Sequence, residues 1–198
     1  MEKQGRSLSK DRSRSDKPLT HRIMDPAGPF ALATMSGMGL LVRDFRADDF
    51  ETLWRIDQEC FPPGISYSRQ ELKLYIRRRG TLTIVADSEG EIAGFIVAHN
   101  GPTGHVITID VVGKARRSGV GSLLLEAAET RLQAAGSRSV GLETAVDNVG
   151  ALSFYKRHGY SVVGTCSRYY SNGVDALVMR KELPVRDKGA ELRPIDQS

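Results

Sequence analysis

The sequence predicts an α/β fold of the α+β kind: a mixed central sheet of about seven strands with helices on both faces, in the order β α α β β β α β α β β. Three observations predict it. Short apolar runs of strand length alternate with longer segments of helical period. Two pairs at three-residue spacing, Asp48–Glu51 and Ser68–Glu71, have the form of capping boxes and place two helix starts. Glycine or proline then stands where several elements must stop, at Pro62-Pro63-Gly64, Gly136 and Gly159.

In order, Leu40 to Arg46 reads as a strand. The Asp48–Glu51 box opens a helix that offers Phe50, Leu53, Trp54 and Ile56 to a core and ends near Cys60. Ser68 opens a second helix, to about Arg79. Thr81 to Asp87 and Glu91 to His99 form a hairpin about Ser88-Glu89-Gly90. His105 to Val112 is a further strand. A long helix runs from about Gly119 to Ala135, with Gly136 as its C-terminal cap. Val140 to Ala145 is a strand, and Asn148 caps a short helix ending before Gly159. Two last strands, about Tyr160 to Tyr170 and Val174 to Lys181, flank the turn Ser171-Asn172-Gly173. No internal repeat is visible.

Residues 1–38 read as a disordered N-terminal extension, residues 39–183 as the folded domain, and residues 184–198 as a flexible polar tail. Patterned sequence begins directly after Met35 and Met38, so either is a candidate for the biological start. The chain has 198 residues, 40% hydrophobic and 26% charged, an ordinary globular balance. Its net charge of +4 is concentrated in the first 40 residues, with seven Lys/Arg against four Asp/Glu there. The basic balance is therefore weak support for nucleic-acid binding, and a plain extension is the expectation. No apolar run approaches the roughly 20 residues that cross a bilayer, so no membrane partner is expected and the location read is cytoplasmic. Cys60 and Cys166 lie far apart, and His21, His99, His105 and His158 show no ligand spacing. No metal is expected.

The most informative segment is Val106-Ile107-Thr108-Ile109-Asp110-Val111-Val112, followed by Arg116-Arg117-Ser118-Gly119-Val120-Gly121 and the helix from Ser122. A strand feeds a basic, glycine-containing turn that opens a helix. The first helical N–H groups lack internal partners and carry partial positive charge. Gly119 and Gly121 bare the backbone, and Arg116 and Arg117 add charge, which together make a pyrophosphate cradle. On spacing alone, the same residues also read as a helix start with small side chains for packing. The segment lacks both the Gly-x-Gly-x-x-Gly and the Gly-Lys-Ser/Thr signatures.

Here the chain resembles the GNAT acetyltransferase family. Arg116-x-x-Gly119-x-Gly121 fits that family's Arg/Gln-x-x-Gly-x-Gly/Ala signature. Asn148-Val149-Gly150-Ala151-Leu152-Ser153-Phe154-Tyr155-Lys156-Arg157-His158-Gly159-Tyr160 is similar to its Asn-x-x-Ala-x-x-x-Tyr-x-x-x-Gly-Phe/Tyr segment. The resemblance covers about Leu40 to Leu183 and implies the GNAT fold, with acetyl-coenzyme A as acetyl donor. It implies that Ile109, Asp110 and Val111 line the acetyl and pantetheine arm, with the Val111 N–H on the thioester carbonyl. It also implies that Arg117, Ser118, Gly119, Val120, Gly121 and Ser122 hold the pyrophosphate, and that Asn148 contacts the coenzyme. Many relatives carry an acidic residue, a proline and an aromatic where this chain has Val112, Gly113 and Ala115. Asp110 is an unusual polar residue for this strand; a neighbour or the acceptor amine are both open as its partner.

An amine attacks a thioester only as the free base. Deprotonation at pH 7 costs about 1.4 kcal/mol for an N-terminal amine and about 4.6 kcal/mol for lysine, so a modest base suffices for the former. Read alone, Glu143 is an exposed strand carboxylate and Tyr155 a core-edge aromatic. Their offsets from Asn148 match the ribosomal-protein-alanine (RimI-type) acetyltransferases, which implies Glu143 as general base and Tyr155 as general acid. Cys60-Phe61-Pro62-Pro63 resembles the loop between the first two helices of N-terminal acetyltransferases. Tyr169-Tyr170-Ser171-Asn172-Gly173-Val174-Asp175-Ala176-Leu177-Val178-Met179 resembles their last hairpin. Phe61, Pro62, Tyr169 and Tyr170 are then expected to flank the acceptor. The implied reaction is acetyl transfer to a protein N-terminus, with a ribosomal protein as the suggested acceptor. A small-amine or antibiotic acetyltransferase and a non-catalytic acetyl-coenzyme A sensor are the alternatives. The acceptor's identity and the oligomeric state are not legible.

Overall fold

The computed structural model describes residues 39–184. The readings of an N-terminal extension, a Met35 or Met38 start and a loose C-terminal tail fall on residues outside that range. Within it, seven strands form one sheet: β1 (Leu40–Asp44), β2 (Thr81–Ser88), β3 (Glu91–His99), β4 (Thr103–Val111), β5 (Ser139–Ala145), β6 (Ser161–Cys166) and β7 (Ala176–Glu182). Their spatial order is β1-β2-β3-β4-β5-β7-β6. Every neighbouring pair is antiparallel except β4 with β5. The helices are α1 (Phe50–Cys60), α2 (Arg69–Arg77), α3 (Val120–Ala134) and α4 (Val149–Arg157). The element order is the predicted one.

Alternation along the strands divides the core in two. On one face Ile84, Ala86, Ile96 and Ala98 pack with Leu124, Leu125, Ala128 and Leu132 of α3 and with Tyr155 of α4. On the other face Val85, Phe95 and Val97 pack with Leu53 and Ile56 of α1 and Leu72 of α2. Helices therefore cover both faces, as the sequence predicts.

Local signals hold where the chain satisfies itself. At α2, Ser68 N–H donates to Glu71 Oε2 at 2.9 Å and Glu71 N–H donates to Ser68 Oγ at 3.3 Å, a complete capping box. Ser88 pairs with Glu91, which leaves Glu89-Gly90 as a two-residue turn with φ of 55° and 89°, the primed geometry that suits a twisted hairpin.

Two expectations are corrected. The Asp48–Glu51 box does not form. Residues Ala47–Asp49 make a short 3-10 turn instead, and α1 begins at Phe50. Asp49 is buried, accepts from Arg46 N–H at 2.7 Å, and pairs with Arg43 at 2.7 Å. Arg43 also reaches Asp87 on β2 at 3.1 Å. A charge network tied to the sheet outweighs the local spacing. The last hairpin is also shorter than expected: β6 stops at Cys166 and β7 starts at Ala176. Arg168 takes φ of 51°, and its N–H donates to Asp175 Oδ1 at 2.7 Å. This turns the chain out of the ladder and makes residues 167–175 a loop that carries Tyr169 and Tyr170.

Candidate active site

β4 and β5 pair only over Thr103–His105 and Ser139–Gly141. Beyond that point β5 follows β7 and β4 stays with β3. The two central strands diverge, and an open cleft of about 1650 Å³ lies between them. This is larger than the roughly 300–1,000 Å³ of a typical small-ligand site and leaves room for two reactants.

The ladder decides which backbone groups face the cleft. Val112 N–H donates to Ala93 O at 3.0 Å. Bonding alternates along an antiparallel strand, so Val111 directs its N–H and C=O away from β3. Its carbonyl does so, accepting from Arg116 Nε at 3.1 Å and from Cys60 Sγ at 3.4 Å.

At the end of β4 the chain enters the basic turn. Arg117 and Gly119 take φ of 64° and 91°, and Gly119 sits at the N-terminus of the 15-residue α3. A Cβ on Gly121 would meet the Phe154 ring at 3.4 Å and 3.5 Å, an ordinary contact. The protein thus has room for a methyl group there, and glycine leaves bare backbone at the cleft wall. These donors, with the exposed Arg117 side chain, fit a diphosphate.

The structure brings most predicted site residues to this cleft. Glu143 and Tyr155 line it, as do Ile109, Val111, Arg116, Arg117, Gly119, Gly121, Ser122 and Asn148. So do Phe61, Pro62, Tyr169 and Tyr170. Three predicted coenzyme contacts do not. Asp110 points to the opposite face of β4, where its side chain is buried. Ser118 Oγ donates to Ala115 O at 2.7 Å, and Val120 packs in the core. The Arg116 guanidinium turns inward, to Val111 O and to Cys60 Sγ at 3.4 Å, so it braces β4 against α1. Asn148 Oδ1 accepts from Ala151 N–H at 3.0 Å and caps α4 as expected.

Several side chains that sequence reasoning did not single out complete the site. His105 Nε2 lies 3.1 Å from Glu143 Oε2. The pairing of His105 with Gly141 sets this contact, since Glu143 stands two residues further along the same face. His158 Nδ1 faces Phe154 O at 2.8 Å and so carries its hydrogen. Its Nε2 meets Ser122 Oγ at 2.9 Å, which ties α4 to the start of α3. Asp57 Oδ2, on α1, accepts from Tyr67 N–H at 2.7 Å and Gln58 Nε2 at 2.9 Å, fastening the loop before α2. Ser171 Oγ donates to Gly64 O at 2.6 Å, joining that loop to the loop that carries the tyrosines. The His105–Glu143, His158–Ser122 and Ser171–Gly64 pairs have no local sequence signature, because their partners come from distant parts of the chain.

The electrostatics differ along the cleft. Tyr155 is 7% exposed; burial above all, then the nearby Asp110 and Tyr170, raises its pKa well above that of an ordinary phenol. It holds its proton at neutral pH. Asp110 is 1% exposed, and its pKa is pushed up to about 8, first by burial and then by Asp57. Thr108 Oγ1 donates to Asp110 Oδ1 at 2.9 Å, whereas Oδ2 has no hydrogen-bond partner among the described residues. Burial also raises the Cys60 thiol.

Comparison with known proteins decides what this cleft belongs to. The family model described as acetyltransferase (GNAT) matches residues 50–160, from the start of α1 through α4. The chain belongs to this family. It is an acetyl-coenzyme A-dependent N-acetyltransferase. An N-alpha-acetyltransferase of Sulfolobus acidocaldarius is 30% identical to it over 151 residues, which is 68% of this chain and 88% of that protein. Among solved structures, Ard1 from Thermoplasma volcanium matches with a TM-score of 0.68 and 27% identity, over 74% of this chain and 99% of that one. The ribosomal-protein-S18-alanine N-acetyltransferase of Escherichia coli matches with a TM-score of 0.68 over 76% of this chain and 97% of its own, at 19% identity, which shows the shared fold. Among the described residues no helix is long and apolar enough to cross a membrane, and no group of three or more His, Cys, Asp or Glu is placed to hold a metal ion.

Proposed function

We propose that this acetyltransferase acts on the N-terminal α-amino group of a polypeptide, with Glu143 as general base and Tyr155 as general acid. The observation that carries the reading is the closure of the acceptor groove. The loop holding Phe61 and Pro62 and the loop holding Tyr169 and Tyr170 are joined by the Ser171–Gly64 bond. A groove bridged in this way suits an extended chain end, and tyrosine hydroxyls along it can bond backbone rather than side chain.

The bound coenzyme supplies the acetyl group as an activated thioester. Glu143, held by His105, takes the proton from the incoming amine, directly or through one water. The Val111 N–H, turned toward the cleft, stabilises negative charge on the acetyl oxygen as the amine attacks. Tyr155 gives its proton to the departing sulfur. Arg117 and the first turn of α3, with Gly119, Gly121 and Ser122, hold the diphosphate, and Asn148 and His158 fix the far wall.

The Glu143, Asn148 and Tyr155 offsets suggest a ribosomal protein among the acceptors. The decisive experiment offers acetyl-coenzyme A with short peptides whose N-termini are free or blocked, with internal lysines and small amines as controls. Acetylation confined to free N-termini is the expected result. Transfer only to lysine or small amines would overturn the reading, and tight coenzyme binding without transfer would favour a sensor.

A further inference from the structure

We infer that the basic face of α2 and the arginines after it read acidic residues just downstream of the acceptor's N-terminus. This rests on the N-terminal acceptor reading above. Arg69, Lys73 and Arg77 recur every four residues along α2 and are all exposed, so they share one solvent-facing stripe. Arg78 and Arg79 continue it. Arg69 is engaged with Glu51 and stacks over Trp54 at 4.5 Å. Among the described residues, the other four cations have no carboxylate within ion-pair distance.

The stripe does not stop at the helix. Arg78 lines the active-site cleft beside His99 and His105. The His99 pKa is held below its ordinary value by burial, and then by the positive charge of Arg78 and of His105. Among the described residues lining the cleft, the only carboxylates are Glu143 and Asp147. Glu143 is already paired with His105, and Asp147 lies next to Asn148 at the coenzyme end. The acceptor side of the cleft thus carries surplus positive charge, and Arg78 carries it out to the C-terminal end of α2. Nine residues of helix span roughly 13 Å, the length of about four residues of extended peptide. An acceptor that leaves the groove along α2 would meet the stripe within about its first six residues.

Charge complementarity selects acidic side chains for this surface. A polypeptide fits better than a nucleic acid, because the charge leads into the acceptor cleft and the stripe offers no exposed aromatic for base stacking. Where the acceptor is ribosomal, the stripe selects proteins whose N-terminal segment is acidic.

The test uses peptides with the same first two residues and either glutamate or glutamine at positions three to six. These are assayed at low and high salt with the full chain and with a Lys73→Glu/Arg77→Glu/Arg78→Glu variant. Acidic peptides should show a KM about tenfold lower at low salt with similar kcat, as two or three exposed ion pairs together would give. The difference should shrink as salt screens it. The variant should reverse the preference, and the Arg77→Lys/Arg78→Lys variant should keep it. Equal KM values for the two peptides in the unmodified chain would overturn the inference while leaving N-terminal acetylation standing. So would an RNA oligonucleotide that binds the unmodified chain and not the charge-reversed one, with no peptide preference. Failure to acetylate either peptide, with small amines still acetylated, would instead remove the reading on which it rests.

Discussion

Glu143 and His105 meet at 3.1 Å on strands that separate immediately beyond them. Glu143 therefore stands at the apex of the cleft, paired with His105. Replacing Glu143 with Gln should lower kcat by about 10²–10⁴-fold at neutral pH, the usual range for a lost general base, with the thermal melt unchanged. An N-terminal amine has a pKa near 8, so the defect should shrink by pH 9, where the amine is already free. A pH-independent defect would assign Glu143 to acceptor binding. Tyr155→Phe should also lower kcat while KM for peptide moves little. Asp110 makes a different prediction. Its carboxyl is protonated in the folded protein up to about pH 8, whereas an unfolded aspartate ionises near 4. Its contribution is complete below pH 4, and stability falls as pH rises from about 4 to about 8, by at most about 1.4 kcal/mol per pH unit. Asn carries no such proton. Asp110→Asn should flatten this decline, seen as a smaller change in urea midpoint between pH 5 and pH 8; parallel profiles would show that Asp110 ionises normally.

At the scale of elements, the start of α1 separates a local signal from a tertiary one. Asp49, not Asp48, accepts at this helix entry, and it is tied through Arg43 to Asp87. Asp49→Ala should cost about 3 kcal/mol, because it leaves Arg43 short of a buried partner. Asp48→Ala, at an exposed position, should stay within about 0.5 kcal/mol. Denaturant titration of the pair checks both; equal losses would restore the Asp48–Glu51 box. The loops that hold Phe61 and Tyr169 form the second such case. Ser171→Ala removes the hydroxyl that bridges to Gly64. It should cost less than about 1 kcal/mol of stability at an exposed site and raise KM for peptide several-fold, leaving coenzyme affinity unchanged.

At the scale of the molecule, the cleft is held open by a sheet whose two halves share only a short parallel junction. A ligand that grips both halves should stabilise the whole. Coenzyme at 100 times its dissociation constant adds about 2.7 kcal/mol, or roughly 5–10 °C in melting temperature for a domain of this size. Arg117→Ala should reduce that shift at fixed coenzyme concentration. An undiminished shift would place the diphosphate elsewhere.

The element order, the Ser68–Glu71 cap, the Glu89-Gly90 turn and the Gly119–Gly121 helix start were legible in the sequence. Each is specified within a few residues, by a capping side chain, a positive φ or a missing Cβ. The same locality made the Arg116–Gly121 end of the cleft readable, since strand, turn and helix follow one another there. Tertiary structure alone decided the rest. It put His105 against Glu143, turned the Arg116 guanidinium inward, buried Asp110 on the far face of β4, and bridged Ser171 to Gly64. The three side-chain contacts join residues 38, 56 and 107 positions apart, where strand register and the divergence of β4 from β5, not local spacing, determine which atoms meet. Spacing in sequence carries the geometry of one turn or one strand; it does not carry the position of a partner that the sheet brings in from elsewhere in the chain.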